Sequence, residues 1–584
     1  MRVAVIDKGR CKPKVCGLLC QRMCPRVRSG DETIIVDEIS GKPIIQEDLC
    51  VGCGICVNKC PFDAIIVTNT PEETGVLTHQ YGKNGFRLYG LPIPKAGSVV
   101  GIIGVNGIGK STALKILGGQ IRPNLGELEE ELEWDEIIGQ YRGNEVQKYL
   151  KRLSSGEAKA VYKPQYVDGL TKMGGKVRDI LSRVSKDWGD LITELELNKI
   201  LDRDVEMLSG GELQRLAIAV ALLRDVDLYF FDEPTSYLDI SQRLKAAKRI
   251  RGLGEGGKSV IVVEHDLIVL DYLSDYTHIA FGEKSAFGIL SHLKNTRVGI
   301  NEYLAGWMRS ENVRMRTGEI KFEENSPDKF KSSDLLCTYP KIEKRYKGFE
   351  LTARAGELYK GAVVGIVGPN ATGKTTMMKI LVGAEGNDSD KIELDLKMSY
   401  KAQYLTPVDK TIKEVLLAVT KDLYTSHYKT CILEPLDLES LMDHNVKELS
   451  GGELQRVAIA ECLSRDADIY FLDEPSAYLD VEQRMIVAKM IRHKMENEKK
   501  SAMVIDHDIG FIDYVSDKLM VFSGEPSVDG KAGAPLDLRV GMNIFLKNMD
   551  ITFRRDAETN RPRANKPGSQ KDREQRAKGE YYYG

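Results

Sequence analysis

A chain of 584 residues has room for about three or four domains of ~150 residues each, and 42% hydrophobic with 29% charged content suits a folded, water-facing protein. A net charge of −3 excludes wholesale coating of nucleic acid, though not local basic patches. The apolar runs at 98–105 and 259–263 fall well short of the ~18 residues that cross a bilayer and read as buried parallel strands; no membrane partner is expected. The opening Met-Arg-Val-Ala-Val-Ile-Asp-Lys is charged too early for a secretory signal, so a cytosolic, cytoplasmic location is expected.

The cysteines come first in the chain and are unevenly placed. Of 11, only Cys337, Cys431 and Cys462 lie beyond residue 60, and these three read as small core residues. A disulfide framework does not suit a long chain without a secretory signal, so the other eight point to metal. Cys50-x2-Cys53-x2-Cys56-x3-Cys60-Pro61 has the spacing of the bacterial-ferredoxin run for a [4Fe–4S] cluster, in which the cysteine before proline turns to the other cluster. Cys11-x4-Cys16-x3-Cys20-x3-Cys24-Pro25 is looser and gains weight from its partner. The expectation is two clusters, one on Cys11, Cys16, Cys20 and Cys60, the other on Cys24, Cys50, Cys53 and Cys56. Four-cysteine zinc sites are the alternative. A domain this small has little core and can depend on such groups to fold.

Beyond residue 75 one set of motifs occurs twice. Gly104-Val-Asn-Gly-Ile-Gly-Lys110-Ser111 follows an apolar strand and opens a helical pattern; Gly368-Pro-Asn-Ala-Thr-Gly-Lys374-Thr375 does the same. Such loops turn backbone N–H groups onto phosphate oxygens. The candidate ATP-binding residues are Asn106, Gly107, Gly109, Lys110, Ser111 and Thr112, and Asn370, Ala371, Gly373, Lys374, Thr375 and Thr376. Asp232 and Asp473 end apolar strands and, with Ser111 and Thr375, are expected to hold Mg²⁺. Gln165 and Gln403 can reach the metal or the attacking water, which Glu233 and Glu474 are placed to polarise. His265 and His507 follow strand-like runs and can contact the γ-phosphate. Leu-Ser209-Gly210-Gly211-Glu212 and Leu-Ser450-Gly451-Gly452-Glu453 each open a helix whose N-terminus can bind an anion. Tyr81 and Phe86, like Tyr346 and Phe349, lie ahead of a phosphate loop; adenine stacking and plain strand packing are both open for them.

Repetition sets the domain organisation. Ser209 and Ser450 are 241 residues apart, as are Glu233 and Glu474; the histidines are 242 apart but the loop lysines 264. Lys110 to Gln165 spans 55 residues and Lys374 to Gln403 only 29, so about 26 extra residues sit in the first half, at 134–162. Two short helices are expected there, around 144–152 and 156–162. The basic residues between Arg142 and Lys163 suit either a solvated surface or a partner contact. Val298-Gly-Ile-Asn-Glu-Tyr-Leu304 and Val540-Gly-Met-Asn-Ile-Phe-Leu546 form a second repeat, one copy after each half, where a hinge belongs. The end of the chain has the composition of a disordered tail, but the repeat makes at least its start a packed element. The expected domains are 1–75, the iron–sulfur domain; 76–292, the first ATPase domain; 293–320, a hinge; 321–530, the second ATPase domain; and 531–584, a second hinge element and tail.

The two signatures and phosphate loops resemble those of the ABC ATPases, in which a signature serves the nucleotide held by the opposite domain. That resemblance implies a monomer with intramolecular, head-to-tail pairing of its halves. Lys110, Ser111, Asp232 and Glu233 would share a site with Ser450 and Gly452; Lys374, Thr375, Asp473 and Glu474 would share one with Ser209 and Gly211. With the eight-cysteine block, the single insertion and the paired hinge elements, the whole chain resembles the ABC-E family, the ribosome-recycling ATPases also called RNase L inhibitor proteins. The implied fold is α/β: two P-loop ABC-type domains and an N-terminal ferredoxin-like α+β iron–sulfur domain. The implied activity is ATP hydrolysis that splits terminated ribosomes together with a release factor or Pelota-type factor, after which the protein stays on the small ribosomal subunit. ATP, Mg²⁺ and two [4Fe–4S] clusters are the implied cofactors, and Arg142, Lys148, Lys151 and Arg152 would meet ribosomal phosphates. The second loop departs from the first at Ala371, where the first has Gly107; binding is expected to survive. Alternatives are an iron–sulfur ATPase coupling hydrolysis to electron transfer and a transporter subunit. A chromosome-type ATPase is disfavoured by the lack of a long heptad-patterned arm.

Overall fold

Residues 2–69, 76–167, 169–316, 318–322, 332–389, 392, 394–403 and 405–582 are described by the structure, a computed structural model. The expected boundary at residue 75 lies outside the described residues. The chain divides into two compact units: Met1–Ser236 with Lys248–His265 and Leu273–Gly318, and Tyr237–Ala247 with Asp266–Tyr272 and Glu319–Gly584. No described helix is long and apolar enough to cross a membrane.

In the first unit the cysteine-rich segment pairs Arg2–Ile6 antiparallel with Ile65–Asn69, and Ile34–Val36 with Pro43–Ile45. Short helices at Pro13–Cys16, Leu19–Met23 and Ile55–Lys59 carry cysteines. Cys20, Cys24 and Cys56 are themselves buried among Ala4, Ile6, Ile34, Ile45 and Ile65. The apolar set is small, so the thiols form a large part of what this segment buries.

Each ATPase half is a mixed sheet with the same strand order. In the first unit Tyr276–Glu283, Ser98–Ile103, Ser259–Val263, Leu228–Asp232 and Ala160–Lys163 run parallel side by side. Lys518–Ser523, Val363–Val367, Ser501–Ile505, Ile469–Asp473 and Met398–Lys401 repeat this order in the second. These strands are continuous apolar runs because both faces are covered. The helices Lys110–Leu117 and Lys374–Leu381 pack Leu114 and Leu117, or Met378 and Leu381, onto Phe230 or Phe471 of the sheet beneath. All four residues that precede the motif carboxylates on Leu228–Asp232 and Ile469–Asp473 are buried, which fixes where each carboxylate emerges.

The insertion differs from expectation in its second part. Its helices are Trp134–Gly139 and Glu145–Ser154, whereas 156–162, expected as a helix, ends in the strand Ala160–Lys163. This strand pairs in parallel with Leu228–Asp232, as Met398–Lys401 does with Ile469–Asp473. Sheet pairing there outweighs the weak helical pattern. Asn144 caps the longer helix by accepting from the Val146 amide at 3.2 Å, and Val146, Tyr149 and Leu150 are buried in the core of the first half.

The duplicated segments form the helices Thr296–Ala305 and Leu538–Asn548. Up to residue 582 the end of the chain is folded rather than disordered: Phe553–Arg555 pairs with Pro562–Ala564, and the helix Gln570–Lys578 follows. Beside the buried Phe553 and Tyr582, polar interactions hold this segment. Arg561, 1% exposed, donates to Asp271 at 3.1 Å. Arg563 bridges Asp271 at 2.6 Å and Asp556 at 3.1 Å. Arg555 reaches Asp513 at 2.6 Å.

Candidate active sites and cysteine centres

Gly109 and Gly373 end the two phosphate loops at φ 88 and 90, a backbone that side chains rarely adopt, and the helices begin on the next residue. A Cβ on Gly109 would lie 2.8 Å from the Phe86 ring, and one on Gly373 3.1 Å from that of Phe349. The expected aromatic pairs thus split in role: Phe86 and Phe349 pack on the loops, while Tyr81 and Tyr346 are more exposed. Tyr81 lies 3.2 Å from the Thr112 hydroxyl, and Tyr346 donates to Glu385. Asn106 and Thr376 lie half-buried beside the loops.

The lysine ammonium groups bridge their own loops. Lys110 donates to the Gly104 and Val105 carbonyls at 2.8 and 2.7 Å, and Lys374 to those of Gly368 and Pro369 at 2.8 and 2.7 Å. Burial brings Lys374 down to about 8, opposed by Asp239, Glu474 and Asp473. The Asn370 amide donates to Asp239 at 2.9 Å.

Behind each loop stands the carboxylate pair. Asp232 takes hydrogen bonds from Ser111 and, at 3.0 Å, Tyr162; Asp473 takes one from Thr375 at 2.7 Å. Burial pushes both carboxyls up, Asp473 to about 6. The other oxygen of each, Oδ1, is buried without a hydrogen-bond partner. An orphaned carboxylate oxygen beside a Ser or Thr hydroxyl fits a hard cation or its water, so these residues suit Mg²⁺.

Glu233 and Glu474 follow with φ 46 and 48, a left-handed backbone that is costly for a residue with a side chain. Gln165 and Gln403 donate to their carboxylates at 2.7 Å each. His265 and His507 lie 3.3 and 3.4 Å away. Burial alone would raise both glutamates, but the neighbouring histidine and then the loop lysine outweigh it and hold both below the usual range. A carboxylate kept ionised beside an amide donor can accept a proton from water.

In both signatures the serine is a helix cap. Ser209 and Ser450 accept from the Glu212 and Glu453 amides at 3.4 Å, and those glutamates accept the serine amides at 2.9 Å. Glu212 and Glu453, which the sequence places in the anion-binding signatures, each close the cap of their own helix. Gly210, Gly211, Gly451 and Gly452 form the first turns.

Four residues were not singled out from the sequence. Gln214 donates to the Glu233 and Pro234 carbonyls at 2.8 and 2.9 Å, and Gln455 to those of Glu474 and Pro475 at 2.7 and 3.0 Å. Lys163 and Lys401 reach the same Glu233 and Glu474 carbonyls, at 3.2 and 3.1 Å. Lys163 counted in the sequence as part of a basic stretch; it is 2% exposed and so no surface charge. Its recurrence as Tyr-Lys-x-Gln-Tyr in both halves was the available signal. Of the four basic residues expected to meet a partner, all are exposed, but Arg152 is paired with Asp227 at 2.7 Å.

Cys11, Cys16, Cys20 and Cys60 line one cavity, closed by Leu19, Pro43 and Phe62. Cys56 lies within electrostatic reach of Cys50, Cys53 and Cys20 and shares the buried core with Cys24. Burial keeps the Cys20 and Cys56 thiols at about 11, so metal binding there must release protons. Soft thiol sets around apolar walls fit iron–sulfur ligation.

Comparison with known proteins agrees with this geometry. The ABC transporter model matches residues 94–236 and 351–477. The model of a possible Fer4-like domain in RNase L inhibitor matches 1–32, and that of a 4Fe-4S binding domain 43–66. An uncharacterised ABC transporter ATP-binding protein of Methanocaldococcus jannaschii is 54% identical over 100% of this chain and 98% of its own. Translation initiation factor RLI1 of Saccharomyces cerevisiae is 43% identical over 100% of this chain and 98% of its own. A structure described as a model of ribosome-bound archaeal Pelota and ABCE1 superposes with a TM-score of 0.92 at 54% identity, covering 100% of this chain and 99% of that one. Two phosphate-loop sites, iron–sulfur cysteines and full-length likeness agree: the protein is an ABC-type ATPase that uses ATP, Mg²⁺ and [4Fe–4S] clusters, and it belongs to the ABC-E family, the RNase L inhibitor group.

Proposed function

We propose that this protein is a ribosome-recycling factor: it uses ATP to split terminated ribosomes into subunits, acts with a release factor or Pelota-type factor, and remains on the small subunit. The observation that carries this reading is likeness over the entire chain to a protein described in a ribosome-bound assembly with Pelota, with both nucleotide motif sets intact.

Lys110 and Lys374 bind the β- and γ-phosphates in exchange for the loop carbonyls they now hold. Ser111, Asp232, Thr375 and Asp473 hold Mg²⁺, which when bound offsets phosphate charge. Glu233 and Glu474 orient and deprotonate the attacking water; Gln165 and Gln403 hold those carboxylates, and His265 and His507 face the γ-phosphate. Each site is completed by the opposite signature, Ser450 and Gly452 for the first and Ser209 and Gly211 for the second, so ATP draws the halves together and hydrolysis releases them. Cys11, Cys16, Cys20 and Cys60 would hold one [4Fe–4S] cluster and Cys24, Cys50, Cys53 and Cys56 the other, each cross-linking the small N-terminal domain through its thiolates. Arg142, Lys148, Lys151 and Arg152 contact the ribosome. The protein works as a cytoplasmic monomer, its domains bounded as the sequence analysis sets out.

Sucrose-gradient analysis of ribosomes incubated with the iron-loaded protein, a Pelota-type factor and ATP tests the proposal. Conversion of whole ribosomes into subunits is the expected result; intact ribosomes with every component active would contradict it.

A further inference from the structure

The strands Ala160–Lys163 and Met398–Lys401 both end on a lysine that is almost wholly buried, Lys163 2% and Lys401 3% exposed. A buried ammonium requires partners. These two find theirs on the backbone of the carboxylate pair. Lys163 donates to the Asp232 carbonyl at 3.0 Å and the Glu233 carbonyl at 3.2 Å. Lys401 repeats this on Asp473 at 2.7 Å and Glu474 at 3.1 Å.

We propose that Lys163 and Lys401 are positioning residues for hydrolysis, each fixing the Asp–Glu peptide so that the water-polarising carboxylate keeps its aim. This rests on the roles given above to Glu233 and Glu474. Those glutamates occupy a left-handed backbone, φ 46 and 48, which persists only when its surroundings over-determine it. The glutamate carbonyl accepts from two sides, the lysine on the sheet and Gln214 or Gln455 on the signature helix. Two residues beyond each lysine, Gln165 or Gln403 grips the carboxylate of the same glutamate at 2.7 Å. One strand end therefore holds both backbone and side chain of the residue that handles the water. A change in the strand end reaches the carboxylate through two bonds at once, and the signature helix reaches it through a third. An apolar side chain would fill the same space without any of these donors.

The test uses full-length, iron-loaded protein with both sites altered together. The double variant Lys163→Met/Lys401→Met is expected to lose at least about tenfold in kcat with the KM for ATP within about threefold. Added to Glu233→Gln/Glu474→Gln, it is expected to cause no further loss, because it acts through those glutamates. A tenfold loss that persists in the glutamine background, or a raised KM with kcat unchanged, would overturn the proposal. Full activity of Glu233→Gln/Glu474→Gln alone would instead defeat the glutamate roles, so the two failures are distinguishable. If the methionine variant does not yield soluble, iron-loaded protein, Lys163→Gln/Lys401→Gln is read by the same criteria.

Discussion

The two ATPase halves share strand order and the hydrogen bonds around the Asp–Glu peptide, yet among the described residues three differences bear on the comparison. The first carries the helix pair Trp134–Gly139 and Glu145–Ser154, which the second lacks. Its Asp232 is tied by Tyr162, whereas the hydroxyl of the equivalent Tyr400 is buried without a partner. Its phosphate loop has Gly107 at φ 76 where the second holds Ala371 at φ 57. What is shared is the set of bonds that hold the glutamates; what differs includes the backbone of the phosphate loop and the partner of the neighbouring aspartate. The comparison teaches that the reaction constrains the inner geometry of each site and leaves its strain and its outer surface free to diverge.

The strongest way to break the comparison is to remove the shared chemistry one half at a time. Glu233→Gln and Glu474→Gln should each slow hydrolysis at their own site by about 10²-fold or more, read as phosphate release in a single turnover. A variant that keeps the parental rate would show that its half does not hydrolyse by this route.

Next in size is the grip on the chain end. Asp271 and Asp513 stand at matching positions in the two halves, 242 residues apart. Asp271 serves the deeply buried Arg561, while Asp513 serves Arg555, 13% exposed. Asp271→Ala strands a buried charge and should cost about 3–5 kcal/mol in urea unfolding, with a smaller loss for Asp513→Ala. Equal losses would erase that distinction.

Smaller again is the loop strain. Ala371→Gly should stabilise by about 1 kcal/mol, and Gly107→Ala should cost about 1–2 kcal/mol, read as opposite shifts in the unfolding midpoint. A shift of one sign for both would mean that left-handed strain does not separate the loops. The least effect is expected at the insertion. Lys148→Gln and Lys151→Gln should each lower the salt dependence of ribosome binding by about one unit of log–log slope, with ATP turnover unchanged. An unchanged slope would remove the insertion from the contact surface.

Much of this was legible in the residues because phosphate chemistry demands fixed types at fixed spacing. Loops, signatures and motif strands stand where the patterns place them, since each carries an apolar strand behind and a helix ahead. The insertion was located by counting to Gln165, which assigned the strand Ala160–Lys163 to the extra segment and Lys163 to the surface. Strand pairing is a long-range fact that a local helical pattern cannot reveal. The chain end misled for a related reason. Its charged composition matches disorder, but Arg561 is buried against Asp271, far away in sequence, while Asp556 and Asp572 are buried against the nearby Arg563 and Arg576. The matching Asp271-Tyr and Asp513-Tyr pairs were the only local trace of that grip.

The central claim is that ATP closes the protein onto the small ribosomal subunit. Its most direct test is sedimentation of iron-loaded protein with isolated small subunits, comparing a non-hydrolysable ATP analogue with ADP. Comigration with the analogue and release with ADP are expected; equal binding, or none, in both nucleotides would contradict closure by ATP.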